Sequence, residues 1–217
     1  GAYGHGVDLD PERIEESEEN ARRAGVSDRV IFLQEDIFET AISRADVVTM
    51  YLLSTINEDL RPRLLRELSP GTRVVSHNFG MGTWEPDRHI ILGDSYMDKD
   101  QLTIEERLDK VDHEIYYWVV PARIEGRWQW QTNGNTFIMD VEQHHQKFYA
   151  RLISGSDTLS IDHKKLTGRQ ISFTATNPEK ETHYAFSGKI SGDRITGTIQ
   201  TRKQGAAMIN DWNANRD

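Results

Sequence analysis

The chain has 217 residues and a formal charge of -9, with 26 Lys and Arg against 35 Asp and Glu. That balance excludes a surface built to displace counterions from many phosphates, so a nucleic-acid partner is not expected. Cysteine is absent, which excludes disulfide frameworks, thiolate metal sites and thiol nucleophiles.

No apolar run reaches the roughly 20 residues that a membrane-spanning helix needs, so a soluble, cytoplasmic protein is expected. The first residues, Gly4-His5-Gly6-Val7-Asp8-Leu9-Asp10-Pro11, read as a short apolar strand running into an acidic turn and a capped helix. Asp10 is a good N-cap, Pro11 suits the first helical position, and Glu12, Glu15 and Glu16 put negative charge at the helix start. Arg22, Arg23 and Gly25 close that helix, whose thin apolar face (Ile14, Ala21, Ala24) suits a cover over a sheet. Residues 29–34 read as a second strand ending at Glu35-Asp36. Residues 45–53 are apolar enough for a third strand buried on both faces. Leu60, Leu64, Leu65 and Leu68 follow helical spacing up to Ser69-Pro70-Gly71, and residues 73–78 supply a fourth strand. Strands alternating with helices imply a mostly parallel α/β sheet.

Residues 85–114 read as a polar, irregular insertion holding one short helix opened by the capping box Thr103-Ile104-Glu105-Glu106. Residues 115–120 return as a strand. From Gly126 onward, short alternating runs separated by Asn133-Gly134, Ser154-Gly155, Asn177-Pro178 and Gly192-Asp193 predict an antiparallel all-β domain, either a barrel or a sandwich. Two domains are therefore expected, an α/β domain over residues 1–122 and a β domain over residues 126–217.

Candidate chemistry gathers at strand ends, because ligands of open α/β sheets bind at the carboxyl edge. Asp8 stands where a carboxylate can accept two hydrogen bonds from a ribose diol. Tyr51 is either a core residue with a satisfied hydroxyl or a substrate contact. His77 ends the fourth strand, where an imidazole can act as a base near neutral pH. His144-His145 does not favour a metal, since adjacent strand residues point to opposite faces. Trp128 and Trp130 share one strand face and either fill the β-domain core or line its mouth. No nucleophile elbow and no phosphate-binding Gly-Lys loop is present.

Over about two fifths of its length the chain resembles a class I S-adenosylmethionine-dependent methyltransferase entered at the family's second strand, and in particular its bacterial and lysine-directed members with a Tyr-Leu-Leu fourth-strand motif. Gly6-Val7-Asp8-Leu9-Asp10-Pro11 matches the ribose motif, Gln34-Glu35-Asp36-Ile37-Phe38 the adenine motif, and Met50-Tyr51-Leu52-Leu53-Ser54 the fourth-strand motif. The resemblance implies that Asp8 holds the ribose and Leu9 lies against adenine. It also implies that Asp36 accepts the adenine amino group, that the Ile37 backbone meets the ring, and that Met50 borders the methionine portion. Tyr51 and His77 are the candidate catalytic residues, and the methyl acceptor is a small molecule or a protein. The family's first strand and glycine-rich loop have no counterpart, which implies a gap in the sheet beside the third predicted strand. Further residues ahead of Gly1, or a second chain in a homodimer, are the expected ways of filling it. The alternatives are a non-catalytic protein holding a ligand in its β domain and a hydrolase on a degenerate scaffold.

Overall fold

The computed structural model describes residues 1–92 and 113–217 and divides into two compact units, Gly1–Arg44 and Ala45–Asp217. In the first, β1 (Gly4–Asp8) leads through α1 (Pro11–Ala24) to β2 (Val30–Gln34), and the two strands pair in parallel from Gly4 opposite Val30 to Asp8 opposite Gln34. The helix is fixed at both ends by its own sequence. The Asp10 side chain accepts the Glu12 N–H, Pro11 occupies the first turn, and Gly25 adopts φ 66, handing its N–H to the carbonyls of Ala21 and Arg22.

The second unit opens with β3 (Val47–Met50), α2 (Ser54–Glu67) and β4 (Arg73–His77), followed by β5 (Arg88–Leu92) and β6 (His113–Val119). Their order in the sheet is β3-β4-β6-β5. β3 and β4 run parallel, while β6 is antiparallel to both of its neighbours. Two expectations are corrected here. The third strand stops at Met50, and it is an edge strand with Val47 and Thr49 exposed, not one buried on both faces. It pairs with β4 alone, and the chain leaves the sheet at Tyr51 because Leu53 already opens α2. Residues 88–92, read as part of an irregular insertion, form an edge strand whose five side chains are all exposed. β5 runs in the direction of β3 and β4, so the sheet is mostly parallel as expected, with the single antiparallel strand β6 inserted between β4 and β5. The capping box at Thr103–Glu106 lies outside the described residues.

Eight further strands, β7 (Gly126–Thr132), β8 (Asn135–His144), β9 (Lys147–Ser154), β10 (Asp157–Thr167), β11 (Gln170–Asn177), β12 (Thr182–Ser191), β13 (Arg194–Lys203) and β14 (Ala206–Arg216), each pair antiparallel with the next. β14 returns to β7, so of the two expected architectures the chain adopts the closed barrel. Period-two alternation turns Trp128, Trp130, Phe137, Met139, Phe173, Phe186 and Trp212 inward, and all are buried. The indole N–H groups of Trp130 and Trp212 have no polar partner among the described residues. Both rings meet Phe186 edge to face, at 5.6 Å and 5.3 Å. An N–H directed at an aromatic face gains a weak substitute for a hydrogen bond.

Within the second unit the sheet and the barrel are joined by specific bonds. The Ala122 N–H donates to the Gly168 carbonyl at 2.7 Å, Arg169 Nε donates to the Pro70 carbonyl at 3.3 Å, and Trp84 Nε1 donates to Gln146 Oε1 at 3.1 Å.

Candidate functional site

The carboxyl ends of β1 and β2 carry the acidic pair singled out in the sequence. Asp8 is exposed and accepts the Asp10 N–H on Oδ1 at 2.9 Å. Leu9 is 68% exposed, unusual for a leucine that has a core available, and its carbonyl accepts Gln34 Nε2 at 3.1 Å. At the end of β2, Asp36 Oδ1 accepts the Phe38 N–H at 2.9 Å, and the Asp36 carbonyl receives the N–H groups of Glu39 and Thr40. Asp36 thus builds a local turn with one carboxylate oxygen, while Ile37 beside it is half-buried. Both carboxylates are fixed by backbone N–H groups and face solvent. That is the state in which an acid can accept from a ligand hydroxyl or amine.

In the second unit the end of β4 gathers a different set. Met50 is buried. Tyr51, the next residue, is 83% exposed, and its ring stacks on His77 at 4.8 Å with the planes 12° apart. His77 Nε2 lies 2.8 Å from Nδ1 of His113, the first residue of β6. The register explains this meeting. His77 faces Ile115 across the antiparallel ladder, so His113 is its diagonal neighbour on the same face. Asn78 then turns out of the strand at φ 64, a conformation that asparagine tolerates better than most residues.

Beneath this edge, Asn57 of α2 is fully buried. Its Nδ2 donates to Ser76 Oγ at 3.0 Å and to the Phe79 carbonyl at 3.1 Å, tying helix to strand end, while its Oδ1 is without a partner among the described residues. Alongside, Glu114 Oε2 meets His89 Nε2 at 2.7 Å and accepts the Tyr116 hydroxyl. Those bonds, the hydroxyl first, hold the Glu114 carboxyl below the usual range, and the same carboxylate pushes the Tyr116 hydroxyl up.

The structure brings Tyr51 and His77 into contact and sets Asp8 and Leu9 on adjoining positions of the first unit, with Asp36 and Ile37 at the end of its other strand. Sequence reasoning missed Asn57 and His113. Asn57 shares the buried stripe of α2 with Leu60 and Leu64, and a polar residue on such a stripe was its available signal. His113 had none, because its neighbour is set by strand register. His145 lies not on a strand but in the turn after β8, at φ 54, and burial, then Arg61 and His144, lower its pKa.

Residues 1–88 match the family described as the ANTKMT methyltransferase domain. A protein-lysine N-methyltransferase of Saccharolobus islandicus (strain REY15A) is 45% identical over 115 residues, 53% of this chain and 63% of that protein. The adenine nucleotide translocase lysine N-methyltransferase of Mus musculus is 31% identical over 81 residues, 37% of this chain and 35% of that protein. A solved structure of an RNA methyltransferase from Salinibacter ruber, in complex with S-adenosyl-L-homocysteine, is 43% identical, covers 57% of this chain and 69% of that one, and has a TM-score of 0.46. The chain spans less than two thirds of the length of the curated relatives it matches.

Proposed function

Because its first 88 residues match the ANTKMT methyltransferase domain, we propose that the chain binds S-adenosylmethionine and methylates the side-chain nitrogen of a lysine in a protein. The lysine acceptor is carried over from the two curated relatives, both of which are lysine methyltransferases. The observation that carries the cofactor reading is the pair of solvent-facing carboxylates, Asp8 and Asp36, at the carboxyl ends of two parallel strands inside the matched segment. They fit the adenosine end. Asp8 would accept from the ribose hydroxyls, the exposed Leu9 would lie against adenine, Asp36 would accept the exocyclic amine, and the Ile37 backbone would meet the ring. When bound, S-adenosylmethionine supplies an electrophilic methyl group on a positively charged sulfur, leaving alignment and proton handling to the protein. Tyr51 offers an exposed aromatic face to an alkylammonium ion, and His77 beneath it offers a basic nitrogen.

No helix among the described residues is long and apolar enough to cross a membrane. The free edge of β3, with Val47 exposed, favours pairing with a second copy of the chain in a homodimer.

Calorimetry with S-adenosylhomocysteine tests the cofactor reading. Asp8→Ala is expected to weaken binding by about 2–3 kcal/mol, the scale of a charge-assisted pair of hydrogen bonds. Absence of heat with the unaltered chain, or equal affinity in the variant, would overturn it.

A further inference from the structure

We propose that His77 and His113 form a two-imidazole relay that takes the proton from the acceptor's ammonium ion and delivers it to water. The inference rests on the lysine reading above, and a lysine side chain is cationic at neutral pH and has no lone pair for attack until it loses a proton.

The geometry limits what the pair can do. At 2.8 Å between His77 Nε2 and His113 Nδ1, one proton sits between two neutral rings, and it belongs to one nitrogen or the other. When His77 Nε2 carries it, His77 Nδ1 is bare. When His113 Nδ1 carries it, the bare nitrogen is His113 Nε2. Moving the shared proton therefore moves the basic site from the half-buried ring to the exposed one. Neither outer nitrogen makes a hydrogen bond among the described residues. The groups facing His77 are the Tyr51 ring from the β3–α2 turn and His113 from β6. The carboxylate of Glu114, next to His113 in sequence, is occupied by Tyr116 and His89.

The steps balance. The ammonium gives a proton to His77 Nδ1 and becomes a neutral amine. The central proton passes to His113 Nδ1, and His113 Nε2 releases its proton to water. The amine lone pair then forms the bond to the methyl carbon as the carbon–sulfur bond breaks. The positive charge passes from sulfur to the methylated nitrogen. After the product leaves, His113 Nε2 takes a proton from water, the central proton returns to His77 Nε2 and His77 Nδ1 gives its proton to water, which restores the starting tautomers. His77 is the catalytic base in this scheme. His113 is a positioning residue that also carries the proton onward.

Two measurements test it. Long-range proton–nitrogen spectra of the histidine-labelled chain at pH 7 should show one slowly exchanging imidazole proton correlated with both rings, lost in His113→Phe. Two rings titrating independently would overturn the relay. The second variant, His113→Asn, places an amide there whose Oδ1 can accept from His77 Nε2–H, so it can seat His77 with Nδ1 bare but cannot pass a proton. With polylysine and labelled S-adenosylmethionine, its kcat should fall at least about 10-fold at pH 7. The deficit should narrow toward pH 10, where the amine is already neutral, with KM for polylysine unchanged. A deficit independent of pH, or none, overturns the relay while S-adenosylhomocysteine binding upholds the cofactor reading. A chain that binds S-adenosylhomocysteine yet methylates no polylysine overturns the ammonium acceptor, and a chain that does not bind it overturns both readings.

Discussion

Asn78 and Glu114 exchange two hydrogen bonds across the end of the β4–β6 ladder. The Asn78 N–H donates to the Glu114 carbonyl at 2.7 Å, and the Glu114 N–H donates to Asn78 Oδ1 at 2.8 Å. A side-chain oxygen thereby replaces the backbone acceptor that strand geometry would otherwise supply, because Asn78 has already turned to φ 64. Asn78→Ala loses the acceptor and places an alanine in the left-handed region, so urea unfolding should show a loss of about 2 kcal/mol. Asn78→Gly keeps the turn but loses the bond, and should cost about half as much. Equal effects from both variants would mean that the turn is not strained.

Gly168 sits at φ +55 with its missing Cβ directed at backbone. A methyl there would lie 3.0 Å from the Gly71 Cα and 3.3 Å from the Gly71 nitrogen. Gly192 has a similar φ of +58 but open space around it. Gly168→Ala should therefore destabilise the chain by about 2–4 kcal/mol, combining conformational strain with a backbone clash, against about 1 kcal/mol for Gly192→Ala. Thermal unfolding of both variants checks the difference, and equal shifts would show that residues 70–71 can move away from Gly168 at little cost.

Burial lowers the pKa of His145, helped by Arg61 and His144. The unfolded chain then takes up a proton at the ordinary histidine value, whereas the folded chain waits until lower pH. Stability from this group is present above that ordinary value and is lost as the pH falls toward the folded one. His145→Asn suits the left-handed φ and removes the titration, so the drop in Tm between pH 7.5 and pH 5.5 should be smaller in the variant. Parallel curves would assign the acid sensitivity to other groups.

Because β7 to β14 close on themselves and bury their own aromatic core, residues 126–217 are expected to fold when expressed alone, with dispersed amide NMR signals. A disordered fragment would show that the bonds to residues 70–122 are required for barrel formation.

Much of this was legible in the chain because it is local. Asp10-Pro11 and Gly25 mark the ends of α1, the alternation from Gly126 onward gives the barrel strands, and the spacing of Trp128 and Trp130 places both rings inside. What escaped depends on partners distant in sequence. Residues 88–92 form a strand because β6 supplies a ladder for them, and nothing in Arg-His-Ile-Ile-Leu announces an edge. The apolar run from Ala45 suggested double burial, yet β3 has a neighbour on one side only. Of the candidate site, Tyr51 and His77 could be picked out as strand-end residues. Their stacking, and the approach of His113, follow from a register that no short window contains.

The barrel is closed by its last residues. β14 meets β7 only at Asn215 opposite Gln129 and Arg216 opposite Trp128, and Gln129 Nε2 reaches Asp217 Oδ1 across 88 positions of sequence. Arg216 adds bonds to Asp193 and to the carbonyls of Arg123 and Glu125. Every other pairing in the ring joins consecutive strands and can form as a hairpin. Closure alone must span the whole sequence of eight strands, so it carries the largest loop entropy and comes late in folding. The ring therefore stays an open, curling sheet until β14 is in place, and Asn215, Arg216 and Asp217 act as its clasp.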